Sequence, residues 1–204
     1  MIKEQIADIE WEMFQNVKNI GGRASCQDNK EMFYIMRLSQ YAPWTEELLE
    51  SYLADLIKAQ RFERNMVAEK YARMMEYTFP EEYKAIADML PPLSQEKEKL
   101  IDEIVSRETL WFEEYREKYP NLAKGNRAAD YKGFDGTVTG AASMPVYLRG
   151  ELRTYSLKTL KLYLEMVHDY DKKGINPGII IMDDQMKRAG FKDIDDAERR
   201  IDHA

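Results

Sequence analysis

Apolar residues recur every three or four positions through most of the chain, which is the spacing of amphipathic helices. The first such pattern predicts a helix over residues 2–18, and the glycines at positions 21 and 22 are expected to end it. The apolar stripe of this helix consists of Ile2, Ile6, Ile9, Met13 and Val17.

A second helical pattern begins after residue 28. Asp28 and Glu31 have the spacing of a capping box, in which each side chain satisfies a backbone amide at the start of a helix. The buried face of this helix is predicted to contain Met32, Phe33 and Met36. Pro43 disfavours helical geometry in the residue before it, so the helix should end near Ala42.

Two long amphipathic helices are predicted next. Thr45 is the expected N-cap of the first, and its apolar stripe continues to Met75 as one helix of about eight turns. Ser94 is the expected N-cap of the second, whose apolar face extends to Tyr115 and which Pro120 should close.

The helical periodicity is lost between residues 121 and 155, where half of the glycines fall. A connection of this length is usually functional or disordered. Residues such as Phe134 and Tyr147 favour order, because disordered segments are poor in aromatic residues. We expect an ordered loop with a short strand near 137–139. Helices are predicted again from about Ser156 and Asn176, followed by a short one from 193 to 201.

These patterns predict a mainly α fold, a helical bundle-like single domain over residues 1–204 with one long ordered glycine-containing loop at about 121–155. An alternative division separates a helical core, 1–120, from a second part, 121–204, that holds the loop and the C-terminal helices.

The composition argues against some classes of binding partner and predicts the cellular compartment. The chain has 204 residues and a net charge of −7, so it lacks the basic field that nucleic acids or anionic membranes require. No stretch approaches the roughly 18 uninterrupted apolar residues of a membrane span. One cysteine, two histidines and an N-terminus without a signal sequence favour the reducing cytoplasm.

A metal centre is not expected. Glu165 and His168 have the Glu-x-x-His spacing of di-iron bundles, but a second such pair is absent from the sequence and both residues fall on a polar face. No motif identifies a cofactor.

The polar loop at residues 19–27 is the first candidate binding site. Its adjacent glycines allow close backbone approach, and Arg23 offers donors for a carboxylate or phosphate. Arg37, Gln27 and Gln40 would add hydrogen bonds from the same region. The alternative is a structural turn in which Arg23 pairs with a nearby carboxylate. Cys26 lies in this loop, but a cysteine nucleophile needs a histidine base, so a buried, inert thiol is the expectation.

Two acids interrupt apolar stripes and form a second candidate group. Glu63, like Gln60, is predicted to lie on the buried side of the first long helix, and Glu108 on the buried side of the second. Such carboxylates could act as an acid–base pair or hold a cation. The alternative is a buried salt bridge between helices. Arg149 and Tyr155 lie at the end of the 121–155 loop, which would be either a lid or a packed cover.

Several segments resemble domain-of-unknown-function family 4125, which occurs in bacteria and archaea. The likeness is carried by Trp11-Glu12-Met13-Phe14, by Gly21-Gly22-Arg23-Ala24-Ser25-Cys26-Gln27-Asp28, by Met36-Arg37 and by Tyr147-Leu148-Arg149-Gly150-Glu151-Leu152. The resemblance implies a cytoplasmic domain, alone or fused to others, and implies no catalytic residues.

Together these features predict recognition of a small polar or anionic metabolite, with or without chemistry on it. The pocket would lie where the loops at 19–27 and 121–155 meet, with Trp44 and Trp111 as apolar walls. The alternative function is a helical interaction module that binds a protein partner or a second copy of itself. Its surface would be the methionine-rich face of Met66, Met74 and Met75.

Overall fold

The computed structural model describes residues 1–18, 22–124 and 142–201. Within these ranges the chain forms eleven α-helices and no strand, so the predicted mainly α fold is confirmed. The helices are α1 (Ile2–Gln15), α2 (Lys30–Gln40), α3 (Glu46–Arg61), α4 (Met66–Thr78), α5 (Pro80–Lys84), α6 (Gln95–Lys118), α7 (Pro120–Ala123), α8 (Met144–Leu152), α9 (Leu157–Lys173), α10 (Pro177–Arg188) and α11 (Ile194–Ile201). The strand predicted near 137–139 lies outside the described residues.

Polar side chains at the helix starts explain most of these boundaries. Thr45 accepts a hydrogen bond from the Leu48 amide, and Ser94 accepts one from the Lys97 amide, as predicted. Asn29, however, is the N-cap of α2, where it accepts from the Met32 amide. The prediction of Asp28 as the cap was wrong, because Asp28 ends a short 3₁₀ turn, Ser25–Asp28.

The prediction of one long helix from Thr45 to Met75 was also wrong, because residues 62–65 separate α3 from α4. Glu63 has a φ of 52° in this turn, a left-handed conformation that no helix continues through. Asn65 then caps α4 by accepting from the Ala68 amide at 2.9 Å. Its side-chain amide also donates to the Met13 carbonyl at 2.7 Å, so the turn is fastened to the end of α1.

The stretch from 121 to 155 contains helices where a loop was predicted. Residues 120–123 form α7, and residues 144–152 form α8 with a proline in its first turn. Gly150 lies at a close contact between α8 and α4, since a Cβ atom there would be 2.7 Å from Met74 Cγ. Gly150, one of the five glycines on which the loop prediction rested, allows the two helices to pack together.

The main core lies between α1, α3, α4, α6, α8 and α9. Its largest fully buried residues include Ile6, Leu48, Ile104, Leu152 and Leu160. A second apolar cluster joins the end of α6 to α7, α10 and α11. Among the described residues no helix is long and apolar enough to cross a membrane.

Candidate functional site

Four charged side chains from four helices meet in the interior, and we call them the ion network. They are Glu10 of α1, Arg37 of α2, Lys70 of α4 and Glu151 of α8. Arg37 Nε donates to Glu10 Oε2 at 2.8 Å, and Arg37 Nη2 donates to Glu151 Oε1 at 3.0 Å. Lys70 Nζ donates to Glu151 Oε2 at 2.5 Å. All four residues are buried.

Hydroxyl and amide groups complete the ion network. The Tyr41 hydroxyl donates to Glu10 Oε2 at 2.5 Å, and the Tyr52 hydroxyl donates to Glu10 Oε1 at 2.7 Å. The Tyr155 hydroxyl donates to Glu151 Oε1 at 3.0 Å, and Gln40 Nε2 donates to the same oxygen at 3.2 Å. Buried carboxylates need such donors because water no longer solvates them.

The paired charges hold one another in their ionised forms. Burial alone would raise the pKa of Glu151, but the charges of Arg37 and Lys70 lower it well below its usual range. Burial alone would lower the pKa of Lys70, but the Glu151 carboxylate raises it above the usual value. Lys70 is therefore an ammonium group at neutral pH and not a nucleophilic amine.

A cavity of about 530 Å³ opens above the ion network. Aromatic and aliphatic side chains form most of its wall: Phe14, Phe33, Tyr52, Met66, Val67, Tyr71 and Tyr147. Cys26, Met32 and Met36 also line the cavity and are solvent-exposed, which places them at its mouth. The prediction that Met32 and Met36 are buried was wrong, since they are 45% and 52% exposed.

The ion network forms the floor of the cavity, and four of the predicted site residues either line the cavity or contact this floor. Arg37 and Cys26 line the cavity. Gln40 and Tyr155 contact Glu151 without lining the cavity themselves. The thiol of Cys26 is exposed, so the expectation that it is buried was wrong.

The loop residues Arg23 and Gln27 have structural contacts outside the cavity lining. Arg23 Nε donates to Asp28 Oδ1 at 2.8 Å on the surface. The buried Gln27 side chain donates to the Phe14 carbonyl at 2.8 Å and the Val17 carbonyl at 3.2 Å, so it satisfies the C-terminal end of α1. Residues 19–21 of this loop lie outside the described ranges.

The remaining predicted site residues are dispersed. Trp44 and Trp111 are buried in the main core and do not line the cavity. Arg149 pairs with Asp102 at 2.6 Å on the side of α6. Glu63 is exposed, as is Gln60, so the prediction that both face the core was wrong. Gln60 lies within α3, whose buried face includes Leu56 and Ala59 instead, and Glu63 lies in the turn at 62–65, outside any helix.

Glu108 is partly buried between α6 and α9, where it accepts a hydrogen bond from the Tyr163 hydroxyl at 2.6 Å. It has no contact with Glu63, so these two acids do not form an acid–base pair. His168 pairs with Glu103 at 2.7 Å on the exposed face of α9. Among the described residues no cluster of histidine, cysteine and acidic side chains could hold a metal ion.

Sequence reasoning missed Glu10, Lys70 and Glu151, although two of them carried a signal. Glu10 continues the apolar stripe of Ile6 and Met13, and Lys70 lies four residues from both Met66 and Met74. A charge inside an apolar stripe must find a partner when the helix packs. Glu151 had no such signal because its segment lacked helical periodicity.

The chain is a mainly α domain in which a cavity lies above a buried ion network, and its sequence matches a recognised family over almost its whole length. Residues 1–199 match the family described as "Protein of unknown function (DUF4125)", and the chain belongs to that family. No curated protein and no solved structure matches the chain at a significant level.

Proposed function

We propose that this protein binds a small polar metabolite in the cavity above the ion network. The observation that carries the proposal is an apolar cavity of about 530 Å³ whose floor holds four paired charges. Binding sites for small molecules are typically concave and mostly apolar, with a few polar groups that orient the ligand.

The position of the charges supports this proposal over a purely structural role. Burying an ion pair costs several kcal/mol per ion in desolvation, and a well-packed apolar group often stabilises a core better. Here the ion network faces an open cavity, where its polar atoms can contact a ligand.

We place this activity in the cytoplasm, as the composition predicts.

The chemistry of the floor favours recognition over catalysis. Lys70 carries a proton that the Glu151 carboxylate stabilises, which removes the usual lysine nucleophile. Cys26 lies at the mouth of the cavity, whereas His168 pairs with Glu103 on α9. Of the three methionines that the interaction-module alternative places at the surface, Met66 and Met74 are 3% and 9% exposed and Met75 is half-buried.

A thermal-shift screen of a metabolite collection tests the proposal. At least one compound should raise the Tm of the protein, and native mass spectrometry should show one molecule bound per chain. The shift should disappear in Lys70→Met but persist in Lys84→Met, since Lys84 pairs with Glu81 at 2.7 Å on the exposed surface of α5. A collection that spans acids, amides, amines and phosphates and shifts nothing would contradict the proposal.

A further inference from the structure

Most of the hydrogen-bonding capacity of the two carboxylates in the ion network is used, and the oxygen with the most room for a further donor belongs to Glu151. Each Glu10 oxygen accepts two hydrogen bonds, from Arg37 and from a tyrosine hydroxyl. Glu151 Oε1 accepts three. Within the part of the chain that the structure describes, Glu151 Oε2 accepts only from Lys70, so it retains room for a donor.

Lys70 offers the matching donor beside that oxygen. One N–H bond of its ammonium group points to Glu151 Oε2 at 2.5 Å, and Nζ lies 3.5 Å from the centroid of the Tyr147 ring. An ammonium group has three N–H bonds. Besides Glu151 Oε2 and the face of the Tyr147 ring, Lys70 Nζ has no further acceptor among the described residues, so one N–H bond remains available to a ligand. Lys70 and Glu151 therefore present a donor and an acceptor side by side, with the two atoms 2.5 Å apart.

The charges of the floor are already balanced. Two carboxylates face one guanidinium and one ammonium group. A bound carboxylate would add a third negative charge without a cation of its own, and a bound amine would add a third positive charge. An unpaired charge in a site of low polarity is strongly unfavourable, so the floor selects a neutral group.

The wall of the cavity selects a flat body. Phe14 and Phe33 are stacked with their ring centroids 5.4 Å apart, and the Tyr71 ring lies 6.4 Å from Phe14. Tyr147 lines the cavity beside Lys70. Aromatic faces and edges make specific contacts with a conjugated ring in addition to burying its area.

We propose that the ligand is an uncharged conjugated ring compound whose amide edge faces Lys70 and Glu151. The carbonyl oxygen would accept from Lys70 Nζ, and the N–H would donate to Glu151 Oε2. The oxygen and nitrogen of an amide are about 2.3 Å apart, close to the 2.5 Å between the two protein atoms. This inference rests on the proposed function and names its ligand class.

Three ligands of one shape separate the charge classes. They are naphthalene-2-carboxamide, 2-naphthoate and naphthalene-2-carboxamidine, which are neutral, negative and positive at pH 7. Isothermal titration of the wild-type protein should give a Kd for the amide at least ten-fold lower than for either ion. Cys26 is the only cysteine in the chain and lies at the mouth of the cavity, so the amide should also slow its alkylation by a maleimide.

Charge-changing variants of the floor should reverse the order of affinity. Glu151→Gln leaves the floor with a net positive charge, so 2-naphthoate should become the tightest ligand by at least ten-fold. Lys70→Met leaves it negative and should favour the amidine by a similar factor. Glu81→Gln and Lys84→Met remove one member each of an exposed ion pair and should leave the order unchanged.

The wild-type ranking decides the inference even where a floor variant fails to fold, which circular dichroism reports. A carboxylate or an amidine that ranks first overturns the amide-edge inference and leaves the proposed function standing. Failure of all three to bind or to protect Cys26 also overturns the inference, whereas the proposed function is judged by the broader metabolite screen. A purely structural ion network predicts no reversal in Glu151→Gln, and that result would overturn the inference as well.

Discussion

Glu108 is a carboxyl group whose surroundings oppose its ionisation. Burial raises its pKa to about 7, an effect that the hydrogen bond from Tyr163 only partly offsets. Glu108 thus differs from Glu151, whose pKa two cations hold low. Near neutral pH, Glu108 is protonated in a substantial fraction of the folded molecules.

Replacement of Glu108 should therefore change how stability depends on pH. Between the ordinary pKa of about 4.5 and about 7, the folded state holds a proton that the unfolded state has released. The free energy of unfolding then falls as pH rises through this range. Glu108→Gln should be more stable than the wild type at pH 8 by about 1–3 kcal/mol, with a smaller difference at pH 5.

Urea unfolding at pH 5, 6, 7 and 8 measures this difference. Glu117→Gln, an exposed change on the same helix, serves as the control, and its free energy of unfolding should vary with pH as that of the wild type does. If the free energy of unfolding of Glu108→Gln also varies with pH as that of the wild type does, Glu108 has an ordinary pKa.

The turn between α3 and α4 contains a residue in a strained conformation. Glu63 has a φ of 52°, which costs about 1–2 kcal/mol for a residue other than glycine. Glu63→Gly should relieve this strain, although glycine also gains entropy in the unfolded chain. We expect a net gain of about 0.5–1 kcal/mol, or a rise in Tm of roughly 1–4 °C.

Differential scanning calorimetry of three proteins tests this expectation. Glu63→Ala removes the same side chain but keeps the Cβ atom, so it should not share the gain. If Glu63→Gly is no more stable than Glu63→Ala, strain at this turn does not limit stability.

The contact between α8 and α4 depends on the absence of a side chain at Gly150. A Cβ atom there would lie 2.7 Å from Met74 Cγ and 3.0 Å from the Lys70 carbonyl. Gly150→Ala should destabilise the protein by about 1–3 kcal/mol, because the two helices must separate. Chemical denaturation measures this loss.

A double-mutant cycle identifies the contact that causes the loss. Met74→Ala provides space beside position 150, so Gly150→Ala combined with Met74→Ala should cost less than the sum of the single changes. Additive costs would show that Met74 is not what resists the new methyl group.

The helices themselves were mostly predictable, because caps such as Thr45 and Ser94 and regular apolar spacing are local signals. The break at 62–65 was not predictable from the apolar stripe, which keeps its phase on both sides of the turn. Helix α8 was missed because Pro145 and Gly150 make its sequence look unlike a helix. In the structure Pro145 lies in the first turn of α8, and Gly150 lies at a close contact with α4.

The cavity was harder to predict than the fold. Arg37 and Cys26 were identified from the polar character of their region, and both line the cavity. The partners of Arg37 are 27 and 114 residues away in sequence, and no local pattern encodes such a meeting. Arg23 was predicted as a site residue because two glycines precede it, but it donates to Asp28 within the turn and to the Gln15 side chain at the end of α1.

At the scale of the whole molecule, Arg37 connects α2 to α1 and α8, and Lys70 joins α4 to the same ion network through Glu151. Arg37→Met would leave Glu10 and Glu151 buried with only Lys70 as a cation. Removing one member of a buried ion pair typically costs about 3–5 kcal/mol, and we expect a loss of that size in urea unfolding.

Arg23→Met is the matched control for this change. Arg23 pairs with Asp28 in an exposed position, and exposed pairs contribute about 0–1 kcal/mol. Equal losses in the two variants would show that burial does not make the Arg37 contacts more important than a surface pair.

Because the four charged residues are far apart in the sequence, they are synthesised at different times during translation. Glu10, Arg37 and Lys70 emerge early, but Glu151 follows Lys70 by 81 residues. At a translation rate of about 5–20 residues per second, Glu151 is synthesised roughly 4–16 s after Lys70. Until α8 has been synthesised, the Lys70 ammonium group must remain hydrated, so the floor of the cavity cannot lose its water before residue 151 has been added to the chain.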